Sequence, residues 1–322
     1  MSRKIKWGII GLGKIAGKFA EGLKHVANAE LYAVASRDLA KAEDFSRRFS
    51  GIAYGSYLEL MEDPKVDVIY VATPHSYHAS ITIECLDHGK AVLCEKPFAI
   101  NSEQAKAMID LAKKKKIFLM EAMWTMFLPH FQYARELVQS GKYGKVKNIK
   151  ADFGFKAEFD PEKRLFNKDL GGGSLLDIGI YPVFLAYSML GVPEKIGAKS
   201  NFAKTGVDTS TRIQFYYPSN VEAELYSTLD EKTPTTGEIE LEKAVIKINS
   251  RFHEPSSIKI ITGDQEEVKE FENIGNGYNY EAEHVSQMLL EEKTESDQMD
   301  FQKTLDLMKL LDEIREKTGL TY

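Results

Sequence analysis

Lys4-Ile5-Lys6-Trp7-Gly8-Ile9-Ile10-Gly11-Leu12-Gly13-Lys14-Ile15-Ala16 is the stretch that decides how the chain begins to fold. Lys4–Ile10 reads as a strand and Lys14–His25 as an amphipathic helix. Between them, Gly11 to Ala16 forms a G-x-G-x-x-A pattern. Gly11 permits a tight turn, Gly13 lets a pyrophosphate approach the backbone, and Ala16 lets helix and strand pack closely. Leu12, Lys14 and Ile15 complete the turn, and the helix N-terminus faces the phosphates. A glycine turn alone is common. Set between a strand and a helix, it points to a dinucleotide.

The alternation continues outward from this turn. Glu30–Ser36, Ile52–Tyr54, Val66–Val71, Lys90–Cys94 and Ile117–Glu121 read as strands. Leu39–Phe49, Ser76–His88 and Ser102–Lys114 read as helices, the last with Ser102 as N-cap. Strands and helices at this spacing build βαβ units and a doubly wound parallel sheet of Rossmann type over residues 1–122.

Ligands of such sheets bind beyond the carboxyl ends of the strands. Three strand ends therefore carry candidate residues. The second strand runs into Ser36-Arg37-Asp38. An acid there would hold the ribose 2′-hydroxyl of NAD, and an arginine accommodates the 2′-phosphate of NADP. Arg37 stands at that point, while Asp38 is placed to cap the next helix, so NADP is favoured over NAD. The fourth strand ends in Thr73-Pro74-His75, with His78 a turn later, on the nicotinamide half of the rim. The fifth runs Ala91-Val92-Leu93-Cys94 into Glu95-Lys96-Pro97, which delivers one lysine to the rim. His75 and His78 have a spacing that suits a metal, but no third ligand accompanies them; no metal is expected.

Residues 123–322 read differently. Strands are expected at Val146–Phe155, Lys195–Ala203, Thr211–Tyr217, Val221–Thr228, Glu238–Leu241, Ala244–Ile248, Ile258–Thr262 and Glu267–Phe271, with helices at Leu128–Ser140, Ser174–Leu190, Tyr280–Glu291 and Met299–Lys317. Apolar and polar residues alternate along several strands, as in Glu222-Ala223-Glu224-Leu225-Tyr226. That pattern suits an antiparallel sheet with one solvated or partner-covered face. The fold class is thus α/β plus α+β.

The second informative stretch is Gly171-Gly172-Gly173-Ser174-Leu175-Leu176-Asp177-Ile178-Gly179-Ile180-Tyr181-Pro182. Three glycines before serine mark a close approach and a helix N-cap. Asp177 and Tyr181 are i and i+4 and share a face. Pro182 removes a helical hydrogen bond and should kink the helix beside them. The bland alternative is a structural Asp–Tyr hydrogen bond.

Composition is that of an ordinary globular chain: 322 residues, 43% hydrophobic, 28% charged, net charge −6. The acidic balance argues against nucleic acid. The basic run Lys113–Lys116 reads as a solvated helix end. Two cysteines, Cys85 and Cys94, give neither a disulfide framework nor a metal spacing and fit a reducing, cytoplasmic setting. No signal segment and no unbroken apolar run near the ~18 residues of a membrane span are seen.

Taken together, Glu95-Lys96-Pro97, Glu121–Pro129, Gly171–Tyr181, Thr205-Gly206-Val207-Asp208 and Gly277–His284 resemble the glucose–fructose oxidoreductase/inositol dehydrogenase (Gfo/Idh/MocA) superfamily. The likeness is to its dimeric dihydrodiol dehydrogenase and NADP-dependent D-xylose dehydrogenase-like branch and spans almost the whole chain. Tyr181 stands where much of the superfamily has histidine, as in that branch; Met126 stands where that branch often has arginine. The resemblance implies an open-faced sheet in the second domain whose exposed face makes a homodimer. It also implies that Lys96–Pro97 lies against the nicotinamide, with a cis proline the expected form. Hydride would pass between nicotinamide and the carbinol or carbonyl carbon of a sugar, polyol or cyclic diol. Tyr181 would serve as acid/base, with Lys96 lowering its pKa and polarising the substrate oxygen, and Asp177 orienting either group. Trp124, Phe127, Phe153 and Tyr280 would wall the substrate, and Arg164 is a polar candidate. The competing reading is a dinucleotide sensor of the same fold without chemistry.

Overall fold

The computed structural model describes residues 3–322. Six strands, β1 (Ile5–Ile10), β2 (Ala29–Ala35), β3 (Ile52–Tyr54), β4 (Val68–Val71), β5 (Ala91–Glu95) and β6 (Leu119–Ala122), alternate with α1 (Lys14–Leu23), α2 (Leu39–Phe49), α3 (Tyr57–Glu62), α4 (His78–Asp87) and α5 (Ser102–Lys115). All neighbouring strands are parallel, in the order β3-β2-β1-β4-β5-β6. β4 and β5 are buried along their whole length, as a sheet covered on both faces requires. The order reverses between β1 and β4, so the crevice for a ligand opens at their carboxyl ends.

The chain continues with α6 (Pro129–Gln139), β7 (Val146–Gly154), α7 (Ile180–Leu190), β8 (Lys195–Phe202), β9 (Asp208–Tyr217), β10 (Val221–Thr228), β11 (Gly237–Leu241), β12 (Val245–Ile248), β13 (Ile258–Thr262) and β14 (Gln265–Lys269), then α8 (Tyr278–Leu290) and α9 (Phe301–Thr318). The eight strands form one sheet, β14-β13-β12-β11-β7-β10-β9-β8. It is antiparallel apart from the parallel pair β7 and β10. One compact unit comprises the chain up to Trp124 with Asn273–Leu305; the other comprises Thr125–Glu272 with Asp306–Tyr322.

Several local expectations need correction. Asn101, not Ser102, caps α5, because its carboxamide oxygen accepts from Gln104 N at 2.8 Å. The short helix α3 was not expected, although Ser56 and Glu59 make a complete capping box ahead of it. β14 lies at Gln265–Lys269 rather than Glu267–Phe271, set by a tight turn that pairs Thr262 with Gln265. Ser174 does not cap its own helix, and the helix opens with a π-helical turn at Leu175–Gly179. Pro182 supplies no N–H to the carbonyl of Ile178, and the wider turn just before it absorbs that break. The segment Lys168–Leu190 is long and apolar enough to cross a membrane, although it contains no unbroken apolar run; 78% of its apolar window is buried inside the protein, as in a core helix.

Candidate active site

The glycine turn after β1 has the geometry its sequence demands. Gly11 takes φ +90°, and a Cβ there would sit 2.6 Å from the carbonyl carbon of Ala72, on the neighbouring strand end. Only glycine lets β1 and β4 approach this closely. Gly13 caps α1 without a side chain, and a Cβ there would meet nothing within 4 Å. Across the switch point, Thr73 Oγ1 and Ser76 Oγ are buried with no hydrogen-bond partner. A helix N-terminus without a side-chain cap and two buried hydroxyls without partners after the next strand fit a dinucleotide, since a phosphate or amide would satisfy both kinds of group. Gly11 to Ile15 would hold the pyrophosphate, with Thr73 and Pro74 at the other half.

Asp38 caps α2 by accepting from the backbone N–H groups of Ala40, at 3.0 Å, and Lys41, at 3.4 Å. Its own N–H donates to Ser36 Oγ at 3.2 Å. The carboxylate is therefore committed to the helix, and the exposed Arg37 is the charged side chain beside it at the end of β2.

β5 delivers Lys96 as expected. From Ala91 to Ile100 every residue is buried except Lys96, which is half-buried, and the Lys96–Pro97 peptide is cis. The backbone around it is fixed from several sides. Lys96 N–H donates to Glu95 Oε2 at 3.1 Å, while the Tyr70 hydroxyl donates to Glu95 Oε1. Tyr70 stacks on Phe19 with centroids 3.9 Å apart. Phe98 N–H donates to Glu121 Oε1 at 3.1 Å. The ring nitrogens of His78 lie 2.8 Å from the Pro97 carbonyl and 2.9 Å from the Thr73 carbonyl. His78 thus ties the β4 rim to the β5 rim, and His75 packs beside it with centroids 5.7 Å apart. Among the described residues no cluster of His, Cys, Asp or Glu is arranged to hold a metal ion.

Acidic groups buried near this rim are pushed toward their neutral forms. Burial pushes Glu121 up to about 8. Burial and then the nearby Glu95 push Glu281 well above the carboxylate range, and neither of its oxygens has a hydrogen-bond partner. Tyr70 is pushed up by burial and by Glu95. Burial disfavours the charged form of each.

Of the aromatic candidates, Trp124, Phe127 and Phe153 are buried and Tyr280 is half-buried. Trp124 stacks on Tyr278, centroids 4.2 Å apart and planes 10° apart. Tyr280, the residue expected from sequence, is half-buried and accepts from Ile274 N–H at 3.3 Å. The two tyrosines are two residues apart on α8 and cannot share a face. Phe127 is buried in the turn that follows Trp124.

In the second unit, Gly171–Tyr181 is organised around a residue to which sequence assigned no role. Asp208, fully buried at the start of β9, accepts from Ser174 Oγ at 2.6 Å, Leu175 N–H at 2.8 Å and Thr211 Oγ1 at 2.8 Å. It caps the π turn from outside the helix. Gly173 must be glycine: at φ +113° its Cβ would lie 2.2 Å from Asp208 Oδ1. Asp177 forms a bidentate pair with Arg164, at 2.7 and 3.2 Å, so these two candidates are brought together. Tyr181 is buried with Phe153, centroids 5.8 Å apart, and with His253, 4.8 Å apart. His253 was not foreseen; it lies in the irregular stretch after β12, where periodicity carries no signal.

Comparison with known proteins bears on this arrangement. Residues 5–123 match the family model described as oxidoreductase family, NAD-binding Rossmann fold, and residues 131–247 match that of the GFO/IDH/MocA C-terminal domain. The chain belongs to the GFO/IDH/MocA oxidoreductase family. It is similar to trans-1,2-dihydrobenzene-1,2-diol dehydrogenase of Xenopus tropicalis, 38% identical over 98% of this chain and 99% of that one. The human enzyme of that name is 32% identical, covering 99% and 98%. Among solved structures, aldose-aldose oxidoreductase of Caulobacter crescentus, complexed with glycerol, superposes with a TM-score of 0.90 at 25% identity, covering 98% of each chain. A 3-ketoreductase from Actinomadura kijaniata in complex with NADP and TDP-benzene does so equally well, at 0.90, 25% and 98% of each. The GFO/IDH/MocA chain described here is an NAD(P)-dependent oxidoreductase acting on CH–OH groups, and its glycine turn lies within the part matched by the NAD-binding Rossmann model.

Proposed function

We propose that the chain is an NADP-dependent dehydrogenase that oxidises a secondary alcohol or hemiacetal of a sugar, polyol or cyclic diol, or reduces the matching ketone. The observation that carries the chemistry is Tyr181, a buried phenol in the first turn of α7, just after the π turn that carries Asp177, and walled by Phe153 and His253. The preference for NADP rests on Arg37, exposed beside an Asp38 already spent as a helix cap. Relatives named for diol, ketone and aldose chemistry support the substrate class.

When bound, the nicotinamide supplies the hydride acceptor or donor. Tyr181 takes the hydroxyl proton during oxidation and returns it during reduction. An ordinary tyrosine titrates near ~10, so positive charge is needed to make the phenolate accessible near neutrality. Lys96, the half-buried residue in an otherwise buried rim, supplies a cation that stabilises charge developing on the substrate oxygen. Asp177, clamped by Arg164, keeps the turn before Tyr181 in register. Trp124, Phe127 and Phe153 offer apolar faces for a ring.

We further place the protein in the cytoplasm as a homodimer joined through the open face of the eight-stranded sheet. That face is polar and ordered, with Lys150–Glu224 at 3.3 Å, Lys247–Glu238 at 2.9 Å and Arg212 over the Tyr226 ring at 4.0 Å.

NADPH formation against a panel of aldoses, inositols and cyclic diols tests the reading. Turnover of at least one class with NADP is expected. Tight NADP binding with no turnover across the panel would favour a sensor of the same fold.

A further inference from the structure

Tyr181 has a titratable neighbour within its own unit. His253 is 4% exposed. Its imidazole is centred 4.8 Å from the Tyr181 ring and 4.2 Å from that of Phe153. The backbone that carries it is pinned twice, because Thr125 Oγ1 donates to the His253 carbonyl at 3.0 Å and His130 Nε2 donates to the Phe252 carbonyl at 2.9 Å. The backbone that presents the ring is therefore fixed from two sides.

One carboxylate lies close to its ring. His253 Nε2 lies 3.7 Å from Glu254 Oε1. Glu254 is itself held by Arg251, at 2.6 and 2.5 Å, which takes up part of its charge and leaves it in one position. His130, the α6 imidazole that bonds this segment, is pushed down to about 4 by burial and is neutral in the working range. On the Tyr181 side, the charged groups of the preceding turn are Asp177 and the Arg164 that pairs with it. Phe153 and Phe252 contribute no charge.

We propose that His253 is a positioning residue for Tyr181: its imidazolium, steadied by Glu254, stabilises the phenolate that accepts the substrate proton. A neutral imidazole with a phenol, and an imidazolium with a phenolate, carry the same number of protons. The pair therefore titrates as a unit and offers a phenolate without a net change in charge. The proton released by the substrate hydroxyl goes to Tyr181 oxygen, and the hydride goes to the nicotinamide. A cation at this distance moves a phenol by one unit or more. The inference rests on the reading of Tyr181 as acid/base.

The test is the pH dependence of alcohol oxidation, from pH 6 to 10.5 at saturating NADP, for wild type, His253→Gln, His253→Phe, Glu254→Gln and Tyr181→Phe. The rising limb of kcat should move alkaline by about one unit in both His253 variants, so that the rate at pH 7 falls about tenfold and returns near pH 10. Glu254→Gln should move it the same way by less. NADP affinity should not change. A limb that stays where it is in both His253 variants, or a loss of rate equal at every pH, overturns the inference. If Tyr181→Phe abolishes turnover while the His253 variants keep the wild-type limb, only the role of His253 falls. If Tyr181→Phe keeps the wild-type rate, the reading beneath it falls as well.

Discussion

Arg37 and Glu121 show how much one side chain can decide. With Asp38 committed to capping α2, the proposed preference for NADP rests on Arg37. Arg37→Glu should raise the KM for NADP about tenfold or more, with far less effect on NAD, in steady-state assays with either cofactor. An unchanged NADP/NAD ratio would remove the basis for choosing NADP. Glu121 makes a prediction about stability. Burial pushes its folded-state pKa to about 8, above its value in the unfolded chain, so the folded state holds a proton that the unfolded state has lost. The stabilisation is complete below about pH 4.5 and is lost as pH rises through about 8. Glu121→Gln keeps the oxygen that accepts from Phe98 N–H and removes the titration. Thermal melts between pH 5 and 9 should show Glu121→Gln losing roughly 5 °C less than wild type. Residues of this kind are only half legible in sequence. Gly11, Gly13, Arg37 and Lys96 stand out as candidates because strand ends and glycine spacing say where they must lie, and Tyr181 stands out only once the family resemblance is added to its i, i+4 spacing from Asp177. His253 does not, and Tyr278 and Glu281 stand in the quoted stretch Gly277–His284 without a role, because their surroundings come from burial and from neighbours distant in the chain.

At the scale of elements, the turn from Gly171 to Tyr181 depends on β9 as much as on itself. Asp208 caps the π turn from a separate strand, with three hydrogen bonds from Ser174, Leu175 and Thr211. Asp208→Ala should lower the unfolding free energy by about 3 kcal/mol in denaturant titrations, since buried donors lose their acceptor. Activity should fall even where the variant remains folded, because the turn positions Tyr181. Asp208→Asn, which keeps an acceptor, should be milder. The sequence pattern places a helix here and puts Asp177 and Tyr181 on it, but its first turn is π-helical and its cap comes from elsewhere. Propensity and periodicity are local signals, and neither registers a cap donated from residue 208 to residue 175. The strands tell the same story. Those of the parallel sheet, flanked by helices and buried throughout, are found within a few residues of their places. β14, exposed along its length, is misplaced by two residues because no buried face fixes its register.

For the whole molecule, the proposed homodimer predicts a sedimenting mass twice that of the chain. Arg212→Glu, on the open sheet face beside Tyr226, should shift the equilibrium toward monomer at low micromolar concentration. A monomer in wild type at all concentrations would dismiss that interface. The central claim concerns chemistry, however, and rests on Tyr181 exchanging a proton as hydride moves. It is tested most directly by single-turnover absorbance at 340 nm, mixing enzyme saturated with NADP against a turned-over substrate and its carbinol-deuterated form. Wild type should form NADPH with a primary isotope effect. Tyr181→Phe, with NADP affinity intact, should form it at least about a thousandfold more slowly. Hydride transfer in Tyr181→Phe within a few-fold of wild type would contradict the account.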